Sequence, residues 1–579
     1  MIERWKQNGG IYNAGDDPGV VRDDKNNEVI ANLAKASSKG KDGKQKDVDV
    51  KEAPYGSDEE RDYAKVKEMM DSKNDQNPVS TEKLLFKQSP PPVALYDADP
   101  KWAARQEQVR QAFKHAWKGY ATDAFGMDEY KPLSHKGHDW SPGGIGLMII
   151  DSLDTIMLMN LEEEYTQARD WIENRLSFDK NQDVNLFETT IRVLGGLLSA
   201  YHLSDNDQLY LDKATDLGNR LLGAFDSDSG IPYAGVVLST GMAHKVQYIQ
   251  SSTAEVTTIQ MEFKYLSHLT GDKKYWDKVE TVMERIRQMI DDNRTLDGLV
   301  PIMIDPNTGG FSGSEIRLGS RGDSYYEYLL KQYLQTDKTE EVYRKMYDQT
   351  VNAMKKYLVR RSQPSEFLFL GELPQGKNSP DHISPKMDHL VCFMGGSFAL
   401  GATEGPSLKV SKRPMSSQDL EDIRLGEELT RTCYEMYNST ATGLASEIVY
   451  FNMQSENLQD ASLQDIIIKP RDTHCLLRPE TVESLFLLWR ITGDEMYREW
   501  GWKIFEAFEK HTKLPNGGYA ALKDVTVVPP PQDDRMDTFF LAETLKYLYL
   551  LFGPTDLIPL DKYVFNTEAH PLPVFKPRW

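Results

Sequence analysis

The sequence predicts an all-α chain whose helices pair and close into an α/α toroid. One grammar carries that prediction. The segments "FETTIRVLGGLLSAYHLSDNDQLYLDKATDLGNRLL", "AEVTTIQMEFKYLSHLTGDKKYWDKVETVMERIRQMI", "GDSYYEYLLKQYLQTDKTEEVYRKMYDQTVNAMKKYL" and "PETVESLFLLWRITGDEMYREWGWKIFEAFEKH" share it. Each opens on an acid, runs an apolar helix with Tyr or Leu at helical spacing, turns at a polar break and continues into a more charged helix. The opening acids Glu188, Glu255, Asp323, Glu480 and Glu543 recur about every 65 residues, with one interval roughly twice that. The missing unit falls near "HLVCFMGGSFALGA", after His389, where Gly395, Gly396 and Gly401 allow close helix packing. The links, such as "LDGLVPIMIDPNTGGFSG", read as hairpins and loops. With apolar helices inside and charged ones outside, the opening acids gather at one mouth.

Taken in chain order, residues 1–95 read as a disordered polar stem. "KASSKGKDGKQKDVDVKEAPYGSDEERDYAK" has too few large apolar residues to offset its ordering entropy. The proline cluster in "QSPPPVALYDADP" closes the stem, and residues 96–579 form the folded part. No apolar run reaches the ~20 residues needed to cross a bilayer. The nearest, "IGLMIIDSLDTIMLMNL", is broken by Asp151 and Asp154. The opening "MIERWKQNGG" carries no signal-peptide pattern, so the chain is cytosolic or is given without a targeting segment.

A net charge of −21 argues against nucleic acid or an anionic membrane as partner, since both need a basic face. The 3 cysteines fit neither a disulfide scaffold nor a Cys-rich zinc site. One bridge with a free thiol and three buried thiols both remain open, and counting alone favours the thiols.

Acids at helix N-termini are favoured by the helix dipole, and that reading suffices for any one of them. Several converging on one cavity repel each other and split their pKa values, as general acid/base chemistry requires. "LLRPETVESLFLL" is the densest case. Pro479 suits a helix start, Glu480 and Glu483 share a face, and Arg478 stands ready to orient one of them. A bound cation would relieve that pair, and carboxylates with hydroxyls suit Ca²⁺ or Mg²⁺ better than zinc. His135, His138, His389 and His570 lack zinc-site spacing. The tail "VFNTEAHPLP" is unusually apolar for a chain end. It reads equally as a plain turn or as an inserted hairpin that delivers the hydroxyl and carbonyl of Thr567 to the acid ring.

The motifs "HDWSPGGIGLMIIDSLDTIMLM", "FETTIRVLGGLLSAY", "SRGDSYYEYLLK", "HLVCFMGG", "LRPETVESLFLLWRITGD", "ETLKYLYLLF" and "VFNTEAHPLP" follow one another from about Trp102 to Pro573. Together they resemble the class I processing α-mannosidases of glycoside hydrolase family 47, endoplasmic-reticulum type. The resemblance implies an (α/α)7 barrel with a C-terminal hairpin inserted into it. It implies an inverting, calcium-dependent α-1,2-mannosidase that trims a single terminal mannose from high-mannose N-glycans on glycoproteins. The catalytic carboxylates it implies are Glu188 as acid, Glu480 as base and Asp323 in a disputed role. Thr567 is the implied Ca²⁺ ligand. Glu188, Glu480, Glu483, Glu543 and Glu568 match the carboxylates around the ion's waters and the sugar. Arg192, Glu255, His389, Arg478 and Phe539 join them as substrate-binding residues, with Phe539 as the aromatic platform. Arg321 matches the position where this type carries Arg, a residue that would hold one glycan branch and limit trimming.

Cys392 and Cys433 match the family's disulfide, leaving Cys475 free, and the stretch 401–426 between them reads as an exposed loop. Sequons at Asn293 and Asn438 permit glycosylation. The resemblance places the protein in the endoplasmic reticulum lumen as a monomer. A membrane anchor usually precedes the stem in this type, and none is seen in this chain, which makes no membrane contact of its own. A lectin of the same fold, serving the degradation of misfolded glycoproteins, is the alternative. An unrelated toroid such as a glucan hydrolase is a third reading, disfavoured by the motifs.

Overall fold

The structure is a computed structural model that describes residues 96–579 except 141–142, 246–249, 412 and 454–463. The stem expected over residues 1–95 lies outside the described residues. Fourteen helices form seven hairpins. In chain order they are α1 (Pro100–Asp123), α2 (Leu147–Leu158), α3 (Glu162–Asn174), α4 (186–203), α5 (Gln208–Leu221), α6 (Gln260–Thr270), α7 (Lys274–Asp291), α8 (Asp323–Gln335), α9 (Glu341–Tyr357), α10 (Phe393–Thr403), α11 (Ser417–Asn438), α12 (Glu480–Thr492), α13 (Met496–His511) and α14 (540–552).

The even-numbered helices form the inner ring. Their sequences are apolar nearly all round, as a helix covered on every side requires. Every residue of α2 and α10 is buried. The odd-numbered helices carry one apolar stripe, as in α7, where Tyr275, Val279, Val282, Met283 and Ile286 face inward. Each inner helix touches the next, and α14 packs on both α12 and α2, so the ring closes. The unit at 389 predicted from the repeat is α10, and α2 supplies the remaining inner helix. The unit opened by Glu543 takes as its outer partner α1, from the other end of the folded part.

Where helices approach most closely, glycine is required. A Cβ on Gly395 of α10 would lie 2.2 Å from the Thr430 hydroxyl of α11, and one on Gly426 would lie 2.4 Å from the Gly395 carbonyl. Cys392 and Cys433 form a disulfide beside this contact, so counting cysteines misled, while Cys475 is free and buried. Replacing Cys392 with Ala is expected to cost about 2–4 kcal/mol of stability, by the usual effect of opening such a loop. A lowered thermal midpoint under non-reducing conditions would register it. The stretch 401–426 is not an open loop: α11 starts at Ser417 behind a capping box of Ser416 and Asp419, which leaves only 404–416 as connection.

The links form small antiparallel sheets at the N-terminal ends of the inner helices, in which the strand before a helix pair meets the strand after it. Examples are β1 (Asp183–Asn185) with β2 (Gly235–Val237), and β3 (Ser251–Ser252) with β4 (Met303–Asp305). The C-terminal pair is a true hairpin. Strands β5 (Tyr563–Phe565) and β6 (Pro571–Pro573) pair with Val564 opposite Leu572, and they contact α8 and α4 inside the ring. Among the described residues, no helix is long and apolar enough to cross a membrane. Both sequon asparagines, Asn293 and Asn438, are exposed.

Candidate active site

The tail is held by its own turn and by the ring around it. The Asn566 side-chain oxygen accepts hydrogen bonds from the amides of Glu568 (3.0 Å) and His570 (2.8 Å). Its amide donates to the Ile191 carbonyl at 3.0 Å and to Glu262 at 2.8 Å. Gly195 of α4 makes room, since a Cβ there would lie 2.7 Å from the Asn566 side chain. The Thr567 hydroxyl donates to Glu327 at 2.8 Å, and its amide donates to the Tyr328 hydroxyl at 3.4 Å.

Around this tip stand the opening acids. Asn185 caps the start of α4, its side-chain oxygen accepting from the Glu188 amide at 2.9 Å. The helix then runs through a π-helical segment, Thr189–Leu194, and π-turns of this kind often mark functional sites. Arg192 in that segment binds Glu188 at 2.8 Å and Asp151 at 3.4 Å, and it also pairs with Glu568. Glu543 lies in a second π-helical segment, Phe540–Thr544. Phe539 has the guanidinium of Arg192 at 5.9 Å and that of Arg478 at 5.4 Å from its ring centre.

His389 touches Glu480 through Nδ1 at 2.6 Å, and its Nε2 meets the hydroxyls of Tyr437 (2.8 Å) and Thr481 (3.0 Å). Burial alone would raise the Glu480 pKa, but the hydrogen bond and charge of His389, helped by Arg478, hold it below the usual range. Arg478 itself pairs mainly with Glu447 and stands 4.0 Å from Glu480.

The other acids move the opposite way. Burial, with the charges of Glu327, Asp388 and Glu480, pushes Asp323 up to about 8. Burial and the Glu188 charge push Glu255 to about 7. Glu483 rises to about 7 through burial and the Glu327 charge, although Lys331 lies 3.3 Å away. Glu543 is driven well above the carboxylate range by burial and the charges of Glu480, Glu483 and Asp151. Glu568 rises likewise through burial, against the pull of Arg192. These mutual influences show Glu188, Glu255, Asp323, Glu480, Glu483, Glu543 and Glu568 as neighbours in one acidic group. Arg321 lies beside it. Its backbone has φ 75°, its carbonyl accepts from the Ala254 amide at 3.0 Å, and its charge pulls the Glu255 pKa down.

The site has room for a hard cation of one kind. Among the described residues, no cluster of three or more His, Cys, Asp or Glu could ligate a metal directly. Among them, too, nothing donates a hydrogen bond to the Thr567 carbonyl or to the Glu543 carboxylate. Both therefore keep lone pairs free for water or an ion. An ion held by the two Thr567 oxygens, with water between it and the acids, fits this arrangement.

A family model described as glycosyl hydrolase family 47 matches residues 112–574. The chain belongs to that family. This family 47 chain is 51% identical over 510 residues to mannosyl-oligosaccharide 1,2-alpha-mannosidase MNS3 of Arabidopsis thaliana, covering 83% of this chain and 81% of that protein. It is 47% identical over 477 residues to the endoplasmic reticulum mannosyl-oligosaccharide 1,2-alpha-mannosidase of Schizosaccharomyces pombe, covering 81% and 89%. Among solved structures, the alpha-1,2-mannosidase from Trichoderma reesei matches with a TM-score of 0.72 and 27% identity, covering 81% of this chain and 99% of that one.

Sequence reasoning missed several residues of this family 47 site. Glu480 and Glu483 looked short of a cation, yet each has a partner from the protein, His389 for the first and Lys331 for the second. Lys331 is four residues after Glu327 in an apolar helix, and that i,i+4 spacing could have revealed the pair. Asp151 and Asp154 registered only as breaks in an apolar run. At i,i+3 they share a face of α2, which was the available signal. Glu447 left no such signal, because it reaches Arg478 from a loop far away in sequence.

Proposed function

We propose that this protein is an inverting α-1,2-mannosidase that removes a single terminal mannose from the high-mannose N-glycans of glycoproteins in the endoplasmic reticulum lumen. The observation that carries the reading is the meeting of acids from different repeats at the inserted tip, where Arg192 joins Glu188 to Glu568 and His389 holds Glu480. Glu480 is kept ionised while Asp323, Glu543 and Glu568 are pushed up. The names of the relatives support the substrate and the compartment.

In an inverting reaction the base and the acid flank the bond, with their carboxyls roughly 6.5–9.5 Å apart to admit water. Glu480 takes a proton from the water as its oxygen bonds to the anomeric carbon. Glu188 gives a proton to the glycosidic oxygen as the carbon–oxygen bond breaks. His389 and Arg478 hold the base ionised and orient it. Phe539, held near the guanidinium groups of Arg192 and Arg478, offers an apolar ring to the sugar. Thr567 would hold Ca²⁺ through its hydroxyl and carbonyl, with Glu188, Glu480, Glu483, Glu543 and Glu568 accepting hydrogen bonds from its waters. When bound, the ion supplies a template that orients the hydroxyls of the reacting mannose.

A second reading gives the proton to Asp323, because at pKa about 8 it stays protonated at neutral pH. Substrates with an activated leaving group separate the two. On an α-mannosyl fluoride, which needs no proton donor, the variant that lacks the true acid is expected to recover most of its lost rate. The other variant stays slow. Inversion itself is tested by proton NMR of an α-1,2-linked mannobiose digest, in which β-mannose is expected to form first. First-formed α-mannose would exclude it.

Arg321 sets the extent of trimming in this reading. Arg321→Leu is expected to let the enzyme remove several mannoses where the parent protein stops at one, seen as successive hexose losses by mass spectrometry.

A further inference from the structure

Beneath the tip lies a group of charges that water does not reach. Asp151, Asp154, Lys546 and His570 are each 0% exposed. Lys546 Nζ stands 2.7 Å from Asp154 Oδ1 and donates to the Ala569 carbonyl at 2.7 Å. His570 places Nδ1 2.7 Å from Asp154 Oδ2 and Nε2 3.2 Å from Asp151 Oδ1. The carboxylates of Asp154 and Asp151 push the His570 pKa up against its burial.

We propose that Lys546 is a positioning residue that fixes the turn at 566–570, so that the two oxygens of Thr567 converge on a divalent cation. The inference rests on reading Thr567 as the ligand of that ion. Lys546 binds the turn's backbone, not only another helix. The carbonyl it holds belongs to Ala569, at φ 58°, two residues after Thr567. Lys546 also lies three residues after Glu543, so α14 presents one side chain to the acidic group and the other to the base of the tip. Asp154 holds the ammonium in place beside the Ala569 carbonyl. A group behind a metal ligand that fixes its orientation typically changes metal affinity by ~10- to 100-fold when removed.

The test uses the full chain, stripped of metal by chelator and then titrated with Ca²⁺ by calorimetry and by thermal midpoint. Lys546→Met and Asp154→Asn are compared with the parent and with Thr567→Ala. Both clamp variants are expected to bind Ca²⁺ about 10- to 100-fold more weakly. Both should recover turnover at saturating Ca²⁺, because neither alters Glu188, Glu480 or His389. If Lys546→Met does not fold, Asp154→Asn carries the comparison. A lower metal-free midpoint with parental Ca²⁺ affinity would reduce Lys546 to a structural role and overturn the inference. A parent that binds no Ca²⁺, or a Thr567→Ala variant that binds it equally well, would overturn the reading of Thr567 instead.

Discussion

Glu480→Gln is expected to lower turnover of a high-mannose glycan by about 10²- to 10⁴-fold, the usual contribution of a positioned general base, while leaving glycan affinity within a few-fold of the parent. Gln has nearly the shape of Glu and keeps an acceptor for His389, but it cannot take a proton from water. The expected change therefore falls on kcat and leaves KM almost untouched. The parent's pH profile supports the same assignment with a worked sign. A base is active when ionised, and His389 and Arg478 depress the Glu480 pKa in the folded protein. Activity should persist down to pH values below the ordinary glutamate range and fall as pH drops through the depressed pKa. His389→Ala should move that acid limb upward, since burial then acts without its counterweight. Parent protein that binds glycan without turning it over would favour the lectin alternative.

Thr567→Ala is expected to be as damaging as loss of a catalytic carboxylate, although Thr567 transfers no proton in the scheme above. The substitution removes the hydroxyl that now donates to Glu327 at 2.8 Å and leaves one oxygen at the tip instead of two. Divalent-ion affinity should fall by more than about 100-fold, beyond the effect typical of an outer-shell partner. Chelator should abolish turnover of the parent, and excess Ca²⁺ should restore it. Full activity of the variant under chelation would show that the oxygen pair serves no ion. Thr567→Ser, which keeps the hydroxyl, should retain most of the affinity.

The toroid was legible because the inner and outer helices differ in composition along their whole length. Even the unit lacking its opening acid could be placed, from three glycines: Gly395 lets α10 approach α11, Gly396 lets it approach α12, and Gly401 leaves room for Tyr347 of α9. The Cys392–Cys433 bridge and the acids at inner-helix starts were likewise readable through the family's motifs. What stayed hidden depends on distance in sequence. Arg192 meets Glu568 from the far end of the chain, and Glu447 reaches Arg478 from a loop with no periodic pattern. The two π-helical segments that present Arg192 and Glu543 could not be read either, since their sequences fit an ordinary α-helix equally well. The tail was ambiguous because nothing in "NTE" itself shows that Gly195 leaves space for Asn566. Burial settles it: Asn566, Glu568 and His570 are at most 2% exposed.

The most direct measurement is mass spectrometry of a nine-mannose N-glycan incubated with the protein, first with Ca²⁺ and then with chelator. Loss of one hexose that stops on chelation is the predicted result. Intact glycan after prolonged incubation of folded, calcium-loaded protein would contradict the assignment of this carboxylate ring to hydrolysis.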